Sequence, residues 1–112
     1  MNRHRLAEER SLAYHTRIAS DLSKFPALLD TARARVASWR ENASVSAPYI
    51  ESWGNVLAGP IQAIINLLTD PSEHARELRQ VSPFAGALPP RERWALWKSV
   101  REQWEREHGD AK

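Results

Sequence analysis

The chain has 112 residues, 42% of them hydrophobic and 27% charged, which suits one domain with one modest core and argues against disorder. Sixteen Lys and Arg against 14 Asp and Glu leave a formal charge of only +2, too weak a bias to imply nucleic acid unless the cations cluster. Without cysteine, disulfides, thiolate metal sites and cysteine nucleophiles are excluded; the N-terminus is charged and no apolar run approaches membrane-spanning length, so a cytoplasmic protein is expected.

A first helix is predicted from near Arg3 to near Leu22, because Tyr14, Ile18 and Leu22 recur at i, i+4 and i+8 while Glu8, Glu9, Arg10 and Arg17 keep the other side polar. Ser11 and His15 lie one turn apart. No carboxylate is evident to orient the imidazole, so a solvated or core-edge histidine is preferred to a catalytic one. Phe25-Pro26 ends this helix, since the residue before a proline is pushed out of the α region and proline suits a first helical turn. The second helix carries Leu28, Leu29, Ala32, Val36 and Trp39 opposite Arg33, Arg35 and Arg40, and stops within residues 42–46. A third starts at Ser46-Ala47-Pro48, with Ser46 as a candidate cap, turns Tyr49, Ile50, Trp53, Val56 and Leu57 inward, and halts at Gly59-Pro60. Ile61, Ile64, Ile65 and Leu68 follow at spacings of three and four, which predicts a short helix facing the core rather than a strand.

Asp70-Pro71-Ser72-Glu73 reads as a helix start, with Asp70 as N-cap, Pro71 at N1 and Glu73 reaching back from N3. The helix that follows turns Ala75 and Leu78 inward and presents His74, Arg76, Glu77, Arg79 and Gln80. Next comes the loop Val81-Ser82-Pro83-Phe84-Ala85-Gly86-Ala87-Leu88-Pro89, in which Pro83 and Pro89 restrict the backbone and Gly86 permits positive φ. Pro90 opens a last helix with Trp94, Trp97, Val100 and Trp104 at spacings of three and four, ending near Gly109. The fold expected is all-α, a single compact bundle of about six helices over residues 1–109, with 110–112 as a frayed tail.

Candidate chemistry is sparse. There is no phosphate-cradling glycine loop, metal-ligand pair or nucleophile motif, and the four histidines are scattered, so neither an enzyme nor a cofactor is expected. Three indoles on the last helix serve either the core or a protein interface, because Trp and Arg are favoured interface anchors. Phe84 in its restrained loop, flanked by Arg76, Arg79, Gln80, Ser82, Arg91, Arg93 and Trp94, is the predicted partner-binding surface; the competing reading folds Phe84 and Leu88 back onto the core as a plug. A basic end of Arg3, His4, Arg5 and Arg10 is the alternative site, for nucleic acid. A helix-turn-helix over residues 47–68 has little to support it, since its second helix offers only Gln62 and Asn66 to base edges.

At Arg3-His4-Arg5-Leu6-Ala7-Glu8-Glu9-Arg10-Ser11-Leu12-Ala13-Tyr14-His15, at Trp53-Gly54-Asn55-Val56-Leu57-Ala58-Gly59-Pro60 and at Leu78-Arg79-Gln80-Val81-Ser82-Pro83-Phe84-Ala85-Gly86, the chain resembles a family of small bacterial antitoxin-like proteins encoded beside nucleotidyltransferase-type toxins. The resemblance implies a protein that binds and neutralises the product of the adjacent gene. It assigns no functional residues. Two further classes stand beside it: a small nucleic-acid-binding regulatory module acting through the N-terminal arginines, and a homo-oligomer built on the Trp helix.

Overall fold

Helical periodicity becomes six helices in the computed structural model, which describes the backbone of residues 3–108 and the side chains of residues 5–107. They are α1 (Arg3–Asp21), α2 (Ala27–Asn42), α3 (Ala47–Ala58), α4 (Ile61–Thr69), α5 (Glu73–Gln80) and α6 (Pro90–His108), with no strand among the described residues. Residues 109–112, including the expected tail, lie outside the described residues.

The first helix is the hub. Leu6, Tyr14, His15, Ile18, Ala19 and Leu22 are all buried, a stripe too broad for one neighbour, and α1 accordingly packs against α4, α5 and α6. The α2 and α3 helices close the bundle from the other side, contributing Ala32, Val36, Ile50, Trp53 and Leu57 to the core. Trp53 is completely buried, and its indole N–H donates to the Leu78 carbonyl at 3.1 Å, so its one polar atom is satisfied. In α4 only Ile64 and Leu68 are fully buried. Ile61, expected inward, is 42% exposed, because it stands in the first turn beyond the edge of the core.

The start of α5 differs by two residues from the sequence reading. Asp70 spends its carboxylate on the Ser72 N–H at 2.9 Å, forming a turn, and Ser72 is the N-cap, its hydroxyl accepting from the Ala75 N–H at 3.3 Å. Ser46 does occupy the N-cap of α3, but its side chain makes no capping bond.

The 81–89 loop is pinned from below. Tyr14 Oη donates to the Phe84 carbonyl at 2.7 Å and accepts from the N–H groups of Ala87 at 3.0 Å and Leu88 at 3.4 Å. Ser82 Oγ accepts from the Phe84 N–H at 3.1 Å, Arg35 donates to the Ala85 carbonyl, and Gly86 supplies the turn with φ +82°. Pro83, Phe84 and Leu88 are therefore buried, and Phe84 meets Trp53 edge-on with ring centroids 6.2 Å apart. Tyr14→Phe is expected to cost about 1–2 kcal/mol in chemical denaturation, the lower part of the range for a buried polar pair, since the Ala87 N–H and Phe84 carbonyl still bond each other at 3.1 Å. Hydrogen exchange at the Leu88 amide should quicken in the same variant; an unchanged midpoint would count against this anchoring.

Helix α6 runs antiparallel to α1, as the pairing of Arg17 with Glu92 (2.5 Å) and of Tyr14 with Trp97 (centroids 6.1 Å apart) requires. Among the helices it packs on α1 alone, and among its described side chains none is fully buried.

Candidate functional site

Where α1, α5, the 81–89 loop and α6 meet, they leave a cleft of about 410 Å³. Helix α1 contributes Arg10, Ser11, Tyr14 and His15, α5 contributes Arg79 and Gln80, the loop Ser82, and α6 Arg93 and Trp97. The described lining holds three arginines and no carboxylate. Glu8 lines an adjoining cleft and faces Arg76 at 3.8 Å.

His15 forms one wall, buried to 3% exposure. Its Nδ1–H donates to the Ser11 carbonyl at 2.7 Å, which fixes the tautomer, and Nε2 accepts from the Ser82 hydroxyl at 2.7 Å. This is the geometry of a nucleophile beside a base. The electrostatics oppose it: burial lowers the His15 pKa from 6.5 to about 4, the bond to the Ser11 carbonyl opposing it in part and the Arg79 guanidinium adding a still smaller lowering effect. At ~1.4 kcal/mol per tenfold change in proton affinity, an imidazolium here is disfavoured by ~3 kcal/mol, and among the described residues no carboxylate contacts the ring to offset that cost. The arrangement is thus a strong neutral latch between α1 and the loop, and a weak base.

Arg79 is buried to 3% exposure. Its Nη1 donates to the carbonyls of Leu67 at 2.9 Å and Asp70 at 2.7 Å, closing the C-terminal end of α4, and burial lowers its pKa while Asp70 opposes that change. Its Nε, like that of Arg10, is shielded from solvent and has no hydrogen-bond partner among the described residues.

The predicted partner-binding residues therefore separate. Arg79, Gln80, Ser82 and Arg93 gather at the cleft, and Arg76 lies beside it. Phe84 does not belong to a surface: at 1% exposure it is the plug, because its ring fills the space against Trp53 and its backbone is tied to Tyr14. Arg79 is likewise corrected from a surface cation to a buried strut. Arg91 and Trp94 are exposed on α6, Trp94 at 73%, while Trp97 and Trp104 are half-buried.

The basic N-terminal group also divides. Arg10 belongs to the cleft, Arg5 faces Glu9 at 3.6 Å, and Arg3 and His4 fall outside the residues whose side chains are described. Sequence reasoning missed the roles of Tyr14 and His15. The Ser11–His15 spacing did not signal the latch, since the short bond is to the Ser11 backbone carbonyl, which any residue there would supply, and Ser82 lies 67 residues away with nothing local to announce it.

Among the described residues no group of three His, Cys, Asp or Glu could hold a metal ion, and no helix is long and apolar enough to cross a membrane. No protein-family model, curated protein or solved structure matches the chain.

Proposed function

We propose that the chain is an antitoxin-like binding protein that neutralises a nucleotidyltransferase-type toxin, and that it grips its partner through the outer face of α6 around Trp94. The observation that carries this reading is the exposure of Trp94 at 73%, with Arg91 exposed in the same helical turn. Leaving an indole in water forgoes its burial energy, and Trp and Arg are among the residues enriched at binding hot spots. The sequence resemblance set out above supplies the class of partner. With Phe84 in the core, the docking surface moves from the loop to the start of α6, and occlusion of the toxin's active-site entrance is the mode of neutralisation.

Trp94→Ala is the test, in co-expression and affinity measurements with the product of the adjacent gene. Affinity should fall by at least about 2 kcal/mol, roughly thirtyfold, with stability unchanged within about 0.5 kcal/mol, as for a surface position. Retention of full affinity and full protection from toxicity would sink the assignment of this face. Weak dependence of affinity on salt is expected for such a contact, whereas a nucleic-acid module would lose affinity steeply as salt rises.

A further inference from the structure

The geometry points to a second, separate function for the cleft between α1, α5 and α6: it binds a phosphorylated small molecule of mononucleotide type, the phosphate held by Arg10 and Arg93 and the base laid against Trp97. Most of the half-buried or structurally engaged arginines of this chain have partners. Arg17 meets Asp21 and Glu92, Arg33 holds the Leu57 carbonyl, Arg35 the Ala85 carbonyl, and Arg76 faces Glu8. Arg10 and Arg93 do not. Both are half-buried, neither makes a side-chain hydrogen bond or ion pair among the described residues, and both line the same cleft.

Arg10 and Arg93 line the same cleft as Arg79, with no carboxylate in its described lining. An anion seated there would face two guanidinium groups, those of Arg10 and Arg93, that have no other partner among the described residues. Guanidinium groups approaching from two different helices suit the several oxygens of a phosphate, to which each can donate in paired fashion. Arg79 contributes its charge only, since its Nη1 is committed to the α4 carbonyls. Trp97 is half-buried, braced by the Tyr14 ring behind it at 47° between planes, and so offers an aromatic face of fixed orientation for stacking. The cleft volume of about 410 Å³ falls within the range of small-molecule sites. Ser82 and His15 already satisfy each other, so they form a neutral wall that neither competes for the phosphate nor repels it.

Isothermal titration of the purified full chain with AMP, and separately with inorganic phosphate, at low salt tests this without any protein partner. Its outcome is therefore independent of the toxin-binding reading. Saturable AMP binding is expected, weakened about tenfold or more by Arg93→Gln and by Arg10→Gln, and unaffected by Arg101→Gln at an exposed position of α6. Should Arg10→Gln fail to fold by circular dichroism, Arg93→Gln decides alone, since its side chain holds no other group among the described residues. Phosphate binding as tight as AMP would overturn the nucleotide assignment, because Trp97 would then contribute nothing. Absence of saturable binding, or equal losses in all three variants, would overturn the site.

Discussion

Replacing Phe84 by alanine is expected to lower the free energy of unfolding by about 3–5 kcal/mol, the usual cost of deleting a fully buried aromatic ring that its surroundings cannot collapse to replace. For a chain of this length that corresponds to a fall in melting temperature of at least about 10 °C. Collapse is blocked here because Pro83 is rigid and buried, the Phe84 carbonyl is fastened to Tyr14, and Trp53 is itself held to the Leu78 carbonyl. Whatever fraction remains folded should bind a partner with unchanged affinity. The opposite pattern, with stability retained and affinity lost, would restore Phe84 as a surface anchor and refute the packing described above. Paired with Trp94→Ala, for which the reverse is expected, this substitution separates the core aromatic from the interface aromatic in a single set of melts and titrations.

Acidification between about pH 6.5 and pH 4 is expected to remove ~3 kcal/mol of stability through His15 alone. In the unfolded chain the imidazole takes up a proton near its ordinary 6.5; in the folded chain burial holds that event down to about 4, against the partly opposing bond to the Ser11 carbonyl. Between those values the unfolded state binds more protons, so stability increases with pH across the window. The contribution is complete above 6.5 and is lost as pH falls through it. Ser11 and Ser82, which hydrogen-bond the ring, carry no group that ionises here, and Arg79 remains cationic throughout. His15→Gln retains an acceptor for the Ser82 hydroxyl and has no titratable proton, and every other ionisable group is common to both proteins. The difference between the two stability-versus-pH curves therefore isolates His15. Parallel curves would mean that His15 is not held neutral, and would reopen its candidacy as a base toward Ser82.

The competing uses of the Trp residues show where local pattern stops being informative. Trp53 and Trp94 both stand at helical spacing among apolar neighbours, yet one is wholly buried and the other 73% exposed. Periodicity states which residues share a face and leaves open whether another element covers it. Trp53 faces α5 and the loop, whereas α6 is an outer helix with α1 on one side only, so its stripe is half covered along Trp97 and Trp104 and bare at Trp94. Arg79 illustrates the same limit for charge. A surface cation and a buried carbonyl clamp look identical in sequence, and only the position of the end of α4 distinguishes them.

From sequence alone follow the all-helical class, the number of helices and most of their ends, because each depends on neighbours within four residues: apolar spacing of three and four, Pro26, Pro48, Gly59-Pro60 and Pro90 at boundaries. Where two capping residues compete within three positions, as Asp70 and Ser72 do, even a local signal is ambiguous by two residues. The tertiary structure alone decided that Tyr14 would fasten the loop, that His15 would meet Ser82, and that Arg10, Arg79 and Arg93 would share one cleft. Those partners lie about 70 residues apart in the first two cases, and their meeting depends on α1 being flanked by α5 on one side and α6 on the other. A contact of that separation is set by how whole helices pack, which burial and hydrogen-bond satisfaction select globally and no short stretch of residues encodes.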